Sequence, residues 1–284
     1  AWRSEQWHGK TQLQFLHTVA AQFQKDKARV LEKIARLKEL VIRKEGLTFN
    51  LTADRDGLTQ LSDSVNVLAG RLKSGTAEIG SATPKLIPAH KGVSIPAQVS
   101  YVAEAFSAPG YGDPLAAPLL ILTRFLSNGY LYKTIRVQGG AYGGMSLYDP
   151  LDGVFAFLSY RDPHIVQTLD TYRKAVDLAC REDIDQDELD KAVIGTIGAL
   201  DRPMDPAGRG TVAMTRYFAG ITDAYRRALR EEVLEMTVER LKEATCRFFE
   251  AAGNRSVIAV YAEEEKLRQA NERLGGKLAL EPLV

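Results

Sequence analysis

Strands interleaved with helices predict an α/β (α+β) fold, a mixed sheet with helices packed on one face. Three observations carry this. Residues 98–107 and 256–262 are short, largely apolar runs of strand length and composition. Apolar residues at three-and-four spacing fill much of the rest, as at Leu58, Leu61, Val65, Leu68 and Leu72. The 284 residues are 45% hydrophobic and 26% charged, which excludes a disordered or collagen-like chain.

Neither Gly nor Pro occurs from residue 10 to 45. Leu13, Leu16, Ala20, Phe23, Val30, Ile34, Leu37 and Val41 recur there with helical spacing, interrupted at Lys27. This predicts a long amphipathic helix or helix pair, its lysines forming a solvated face, with Gly46 as its stop. Residues 47–52 alternate apolar and polar, which predicts a half-buried strand, and 56–73 predict a helix. From 74 to 96 Gly75, Gly80, Pro84, Pro88, Gly92 and Pro96 interrupt regular structure. The expected organisation is therefore a first domain portion at 1–78, a linker at 79–96 and a second domain at 97–284.

In that second domain the strand at 98–107 comes first. Asp113-Pro114 offers an N-cap and a first-turn proline for a buried helix over 115–126. A helical stretch at 129–136 leads into Gly139-Gly140-Ala141-Tyr142-Gly143-Gly144. Strands are expected at 145–148 and 153–160, joined by a turn at 149–152. Helices are expected from Asp162-Pro163 to residue 180, then over 185–200, 208–220 and 222–252. A strand at 256–262 and a helix at 263–274 complete the pattern.

Several function classes are excluded. Thirty-seven basic against 36 acidic residues leave a formal charge of +1, which gives no argument for a nucleic-acid or membrane partner. No uninterrupted apolar stretch reaches the roughly 18 residues of a membrane span. The opening Ala1-Trp2-Arg3 has no secretory pattern, and it reads as the cut edge of something longer. Cys180 and Cys246 fall on expected helices as buried structural thiols, and they suit a soluble protein of a reducing compartment, bacterial cytoplasm or mitochondrial matrix. No two of His8, His17, His90 and His164 are three or four positions apart, so no zinc site is expected from this chain. A serine-hydrolase elbow is absent. The glycine cluster has no following Gly-Lys-Ser/Thr and precedes a strand, unlike a nucleotide cradle.

Arg136 stands three residues before that cluster and Tyr142 within it. A guanidinium carries a fork of N–H donors and a phenol can donate its O–H. Two such donors can converge on one oxygen, an arrangement suited to a peptide carbonyl becoming an oxyanion. Glycines on either side would supply turn geometry and let the segment adjust.

The run from Ile135 through Gly144, IRVQGGAYGG, followed by Leu158-Ser159-Tyr160-Arg161-Asp162-Pro163, resembles the C-terminal half of presequence proteases. These are the single-chain branch of the pitrilysin/insulinase zinc metallopeptidases. The Trp7-His8-Gly9 opening and the Asp201-Arg202-Pro203 turn fall in the corresponding order. Insulysin-type relatives also carry an Arg then a Tyr, but one residue further apart and without the double glycines. The resemblance implies a pitrilysin/insulinase-type domain preceded by the helical end of a second such domain. It implies a clamshell enzyme acting on unfolded peptides, with zinc and the His-x-x-Glu-His motif in the missing N-terminal half, the partner of this chain. It assigns Arg136 and Tyr142 catalytic and substrate-binding roles, with Gly139, Gly140 and Gly143 beside them in substrate binding, and no metal ligand here. The alternative is a non-catalytic peptide-binding or partner subunit of the same fold.

Overall fold

The computed structural model describes residues 5, 7–76, 89–181, 184–253 and 255–283. The chain divides into two compact units, one holding 87–202 and 221–283, the other holding 2–86 and 203–220.

In the second of these, helices α1 (Lys10–Lys25) and α2 (Lys27–Val41) form the helix pair. The break falls at Asp26, whose backbone leaves the helical region and whose carboxylate accepts the Arg29 N–H at 3.0 Å. One residue thus ends one helix through its backbone and caps the next through its side chain. Asp54 caps α3 (Arg55–Arg71) in the same way, accepting the Gly57 N–H at 2.8 Å. The strand expected at 47–52 is absent. Leu47 has extended backbone, but no neighbouring strand pairs with it among the described residues. Alternation supplies a strand's faces, not its hydrogen-bond partner.

Among its described residues the sheet-bearing unit has six strands: β1 (Lys91–Ser94), β2 (Ser100–Ser107), β3 (Gly143–Asp149), β4 (Val154–Asp162), β5 (Val257–Ala262) and β6 (Ala279–Pro282). Their order is β3-β4-β2-β5-β1-β6. β3, β4, β2 and β5 pair antiparallel, while β1 runs parallel to both β5 and β6, so the sheet is mixed. β1 lies within the stretch expected as linker. Gly92 is there because a side chain would press on Leu280 and Leu267, so this glycine marks close packing inside a strand rather than a break. The expected linker residues 79–88 lie outside the described residues.

Helices α4 (Ala116–Asn128), α5 (Val166–Arg181), α6 (Gln186–Leu200), α8 (Asp223–Leu234), α9 (Val238–Ala252) and α10 (Glu264–Arg273) belong to this unit. Helix α7 (Pro206–Ala219) groups with the N-terminal residues, where Gly210 lies against Thr52 and Asn50. The expected helix over 222–252 is two, because Thr237 caps α9 by accepting the Arg240 N–H after α8 has ended at Glu235. On β2, Val102, Glu104 and Phe106 face the helices. Phe155 and Phe157 of β4 are fully buried, and Phe157 stacks on Tyr172 of α5 at 5.1 Å and on Phe249 of α9 at 6.1 Å. The other face carries Tyr101, Ala103 and Ala105 of β2 with the exposed Met145, Leu147 and Tyr160 of β3 and β4. No described helix is long and apolar enough to cross a membrane.

His90 fastens the start of β1 to β5. Its Nδ1 accepts the Ile258 N–H at 3.0 Å, and its carbonyl accepts the Ala279 N–H at 2.8 Å. Burial holds the imidazole below its usual 6.5, Lys277 adds to this and Glu104 opposes it. The unfolded chain therefore binds this proton more readily than the folded one. The contribution is complete above pH 6.5 and is lost as pH falls through the lower folded value. Equilibrium unfolding from pH 8 to 5 should show wild type losing stability relative to His90→Asn, whose side-chain oxygen can accept the same bond without titrating. Parallel pH profiles would exclude His90 as the cause.

Candidate functional site

Arg136 lies on a π-helical turn, Tyr132–Gln138, after α4. Such turns add a residue per turn and are frequent at functional sites. Ile135 is 3% exposed and fixes the turn to the core, which leaves its neighbour Arg136 at the surface. The Gly140 N–H donates to the Arg136 carbonyl at 3.2 Å, and the Ala141 N–H to the Ile135 carbonyl at 3.1 Å. These bonds end the helix and turn the chain into β3.

The glycines do specific work here rather than merely loosening the segment. A side chain at Gly139 would lie 2.7 Å from the Ile135 carbonyl oxygen. Gly140 has φ +74°, a left-handed conformation that favours glycine. A Cβ on Gly144 would meet the Ile135 Cβ at 2.6 Å. Gly143 is less constrained, with only the Met145 Cε at 3.4 Å from an added Cβ.

The turn brings Arg136 and Tyr142 together. The guanidinium carbon lies 5.6 Å from the Tyr142 ring centre and 5.5 Å from that of Tyr132. Tyr142 is 64% exposed, and its backbone N–H donates to the Tyr160 carbonyl at 3.1 Å. Its ring meets the Tyr160 ring edge-to-face at 5.7 Å, and Tyr160 meets Tyr101 likewise at 5.4 Å. Arg136 makes neither an ion pair nor a hydrogen bond through its guanidinium among the described residues. Its donors face solvent while aromatic faces hold its position.

Sequence reasoning left Tyr132, Tyr101 and Tyr160 without a role. Tyr132 was findable, since it precedes Arg136 by four residues on a helical stretch. Tyr160 lies in the quoted Ser159-Tyr160-Arg161-Asp162-Pro163 run, but its contact with Tyr142 depends on strand register.

No group of three or more His, Cys, Asp or Glu that could hold a metal occurs among the described residues. His90 already accepts the Ile258 N–H, and His164 lies two residues before α5, its backbone N–H on Asp162. The thiols are partly rather than fully buried: the Cys246 Sγ points at the Cys180 carbonyl at 3.6 Å. Burial, with Cys246 beside it, pushes the Cys180 thiol up, away from the reactive thiolate.

The mixed sheet with helices packed on one face defines an α/β sandwich domain. The fold is similar to the peptidase M16 inactive domain from Pseudomonas fluorescens, with TM-score 0.56 and 18% identity over 80% of this chain and 53% of that one. It is also similar to a chain of Complex III2 from Candida albicans, with TM-score 0.58 and 14% identity over 80% of this chain and 57% of that one. Residues 90–263 match the family model described as the PreP C-terminal domain. The chain belongs to the presequence-protease family, through that C-terminal domain. It is 32% identical over 271 residues to presequence protease 1, chloroplastic/mitochondrial, of Arabidopsis thaliana, covering 95% of this chain and 25% of that protein. It is 34% identical over 168 residues to the mitochondrial presequence protease of Xenopus laevis, covering 59% of this chain and 16% of that protein. The chain thus spans a quarter or less of the length of these two relatives.

The buried Ile135 cannot yield easily to a methyl group on β3. Gly144→Ala should cost about 1–3 kcal/mol, as overpacking does. It should lower the denaturant midpoint with an unchanged slope. Wild-type stability in that variant would show that the turn is not clamped here.

Proposed function

We propose that this chain is the C-terminal, non-zinc-binding portion of a metalloendopeptidase that degrades unfolded peptides within a closing chamber. In this reading 1–78 end one family domain, and 97–284, with β1 joined to their sheet, form a second. The observation that carries it is the meeting of Arg136 and Tyr142 at 5.6 Å on an exposed surface, with no counter-ion on the arginine among the described residues. Membership of the presequence-protease family supports the reaction class, since the named relatives are proteases.

Zinc and its motif belong, in this reading, to the N-terminal half, and nothing in the described residues takes their place. The work of this chain is binding and charge stabilisation. Arg136 presents N–H donors that can hold the substrate backbone. Tyr142 O–H donates to the scissile carbonyl oxygen as negative charge develops on it. Such a donor is effective because it is in place before the reaction begins. Gly139, Gly140 and Gly143 keep the neighbouring surface low, so an extended peptide can approach the backbone there. A mitochondrial matrix or a similar reducing compartment fits the names of the relatives and the two free thiols.

In the complete enzyme, Tyr142→Phe should lower kcat by about 10²–10³-fold, the loss typical of one oxyanion donor. Zinc content measured by atomic absorption should not change. An unchanged kcat would remove Tyr142 from the mechanism.

This chain alone should cleave no unfolded peptide, and a peptidase assay with and without the N-terminal half checks this. Metal-dependent cleavage by the isolated chain would overturn the division of labour.

A further inference from the structure

The end of β4 holds a feature that the Arg136–Tyr142 pair does not use. Ser100 pairs with Asp162 and Val102 with Ser159, so β4 carries one extra residue opposite Tyr101. Bulges of this kind re-aim side chains and recur beside active sites. Arg161 occupies the bulge at φ 51°, the only positive φ of a non-glycine among the described residues. Glycine or asparagine would meet that backbone requirement with less strain, so an arginine here points to a use for its side chain.

Its neighbour does not neutralise it. Asp162 is 1% exposed and accepts the Thr168 Oγ1–H at 2.7 Å and the His164 N–H at 2.8 Å. The Arg161 guanidinium lies over the Tyr160 ring at 5.8 Å and makes no ion pair or hydrogen bond among the described residues. Tyr160 in turn touches Tyr142. Two unpaired guanidiniums therefore bracket the Tyr142–Tyr160 pair on one exposed surface.

We propose that Arg161 is a specificity residue that binds a carboxylate of the peptide held at Arg136 and Tyr142. The proposal rests on the oxyanion reading of that pair. A planar, exposed guanidinium without a counter-ion suits a bidentate carboxylate. The carboxylate can be an acidic side chain or the free C-terminus of the peptide.

The test uses the complete enzyme and four versions of one peptide, Glu or Gln on the primed side and a free acid or an amide at the C-terminus. Arg161→Asn removes the charge and tolerates the left-handed backbone. It should lower kcat/KM about five- to tenfold on peptides bearing the recognised carboxylate and leave the others unchanged. Loss confined to the Glu peptides identifies the side chain, and loss confined to the free acids identifies the terminus. Equal loss on all four, or on none, overturns the proposal. Should the variant fold poorly, the wild-type preference for carboxylate peptides should shrink as ionic strength rises, and a preference that is absent or salt-independent also overturns it. Tyr142→Phe reports separately on the oxyanion reading, because it lowers kcat on all four peptides alike.

Discussion

The site depends on a contact with no spare room, Gly144 of β3 against the buried Ile135 of the π-turn. Ile135 belongs to the core that the helices form on the sheet. Its neighbour Arg136 therefore has a backbone that cannot drift from β3. The chain then needs only a short connection, bent at Gly140, to set Tyr142 at the head of the strand. The N–H bond from Tyr142 to the Tyr160 carbonyl extends the β3–β4 ladder to the residue before β3. The exposed Tyr142 phenol is thereby carried on a hydrogen-bonded backbone, as the proposed donor role would require.

Aromatic contacts replace ion pairs in holding the charged side chains. A carboxylate beside Arg136 would fix it more strongly but would occupy the donors that the proposed substrate contact uses. Tyr132 and Tyr142 touch the guanidinium through their ring faces, and a cation–π contact leaves the in-plane N–H groups available. The open sheet face continues this surface through Tyr160 and Tyr101.

The layered plan was legible in the sequence because periodicity reports which face of an element is buried. The strands at 98–107 and 256–262 and the helix over 115–126 follow from it nearly residue for residue. Partners are not legible in the same way. Residues 47–52 have strand alternation and no neighbouring strand among the described residues, while β1 and β6 are four-residue strands without a strong pattern, made by β1 pairing with β5 and β6 with β1. Gly92 read as a breaker because sequence does not reveal that Leu280 and Leu267 crowd it. At the site, Arg136 and Tyr142 stood out through local spacing and resemblance. Tyr160 and Arg161 did not, because their place depends on a bulge in long-range pairing.

Glycine density was the feature most open to misreading. A cluster of four in six residues suggests mobility, yet three of the four have their own local constraint. Gly140 answers a backbone requirement, Gly144 a steric one, and Gly139 sits where a side chain would strike the preceding turn. Flexibility at three of these positions would separate Arg136 from Tyr142 and cost the entropy of bringing them together again on binding. A short segment that holds both side chains together avoids that cost in the proposed role. The same logic gives the bulge its role, because it moves one residue of β4 out of the ladder while Asp162 restores the anchoring one position later.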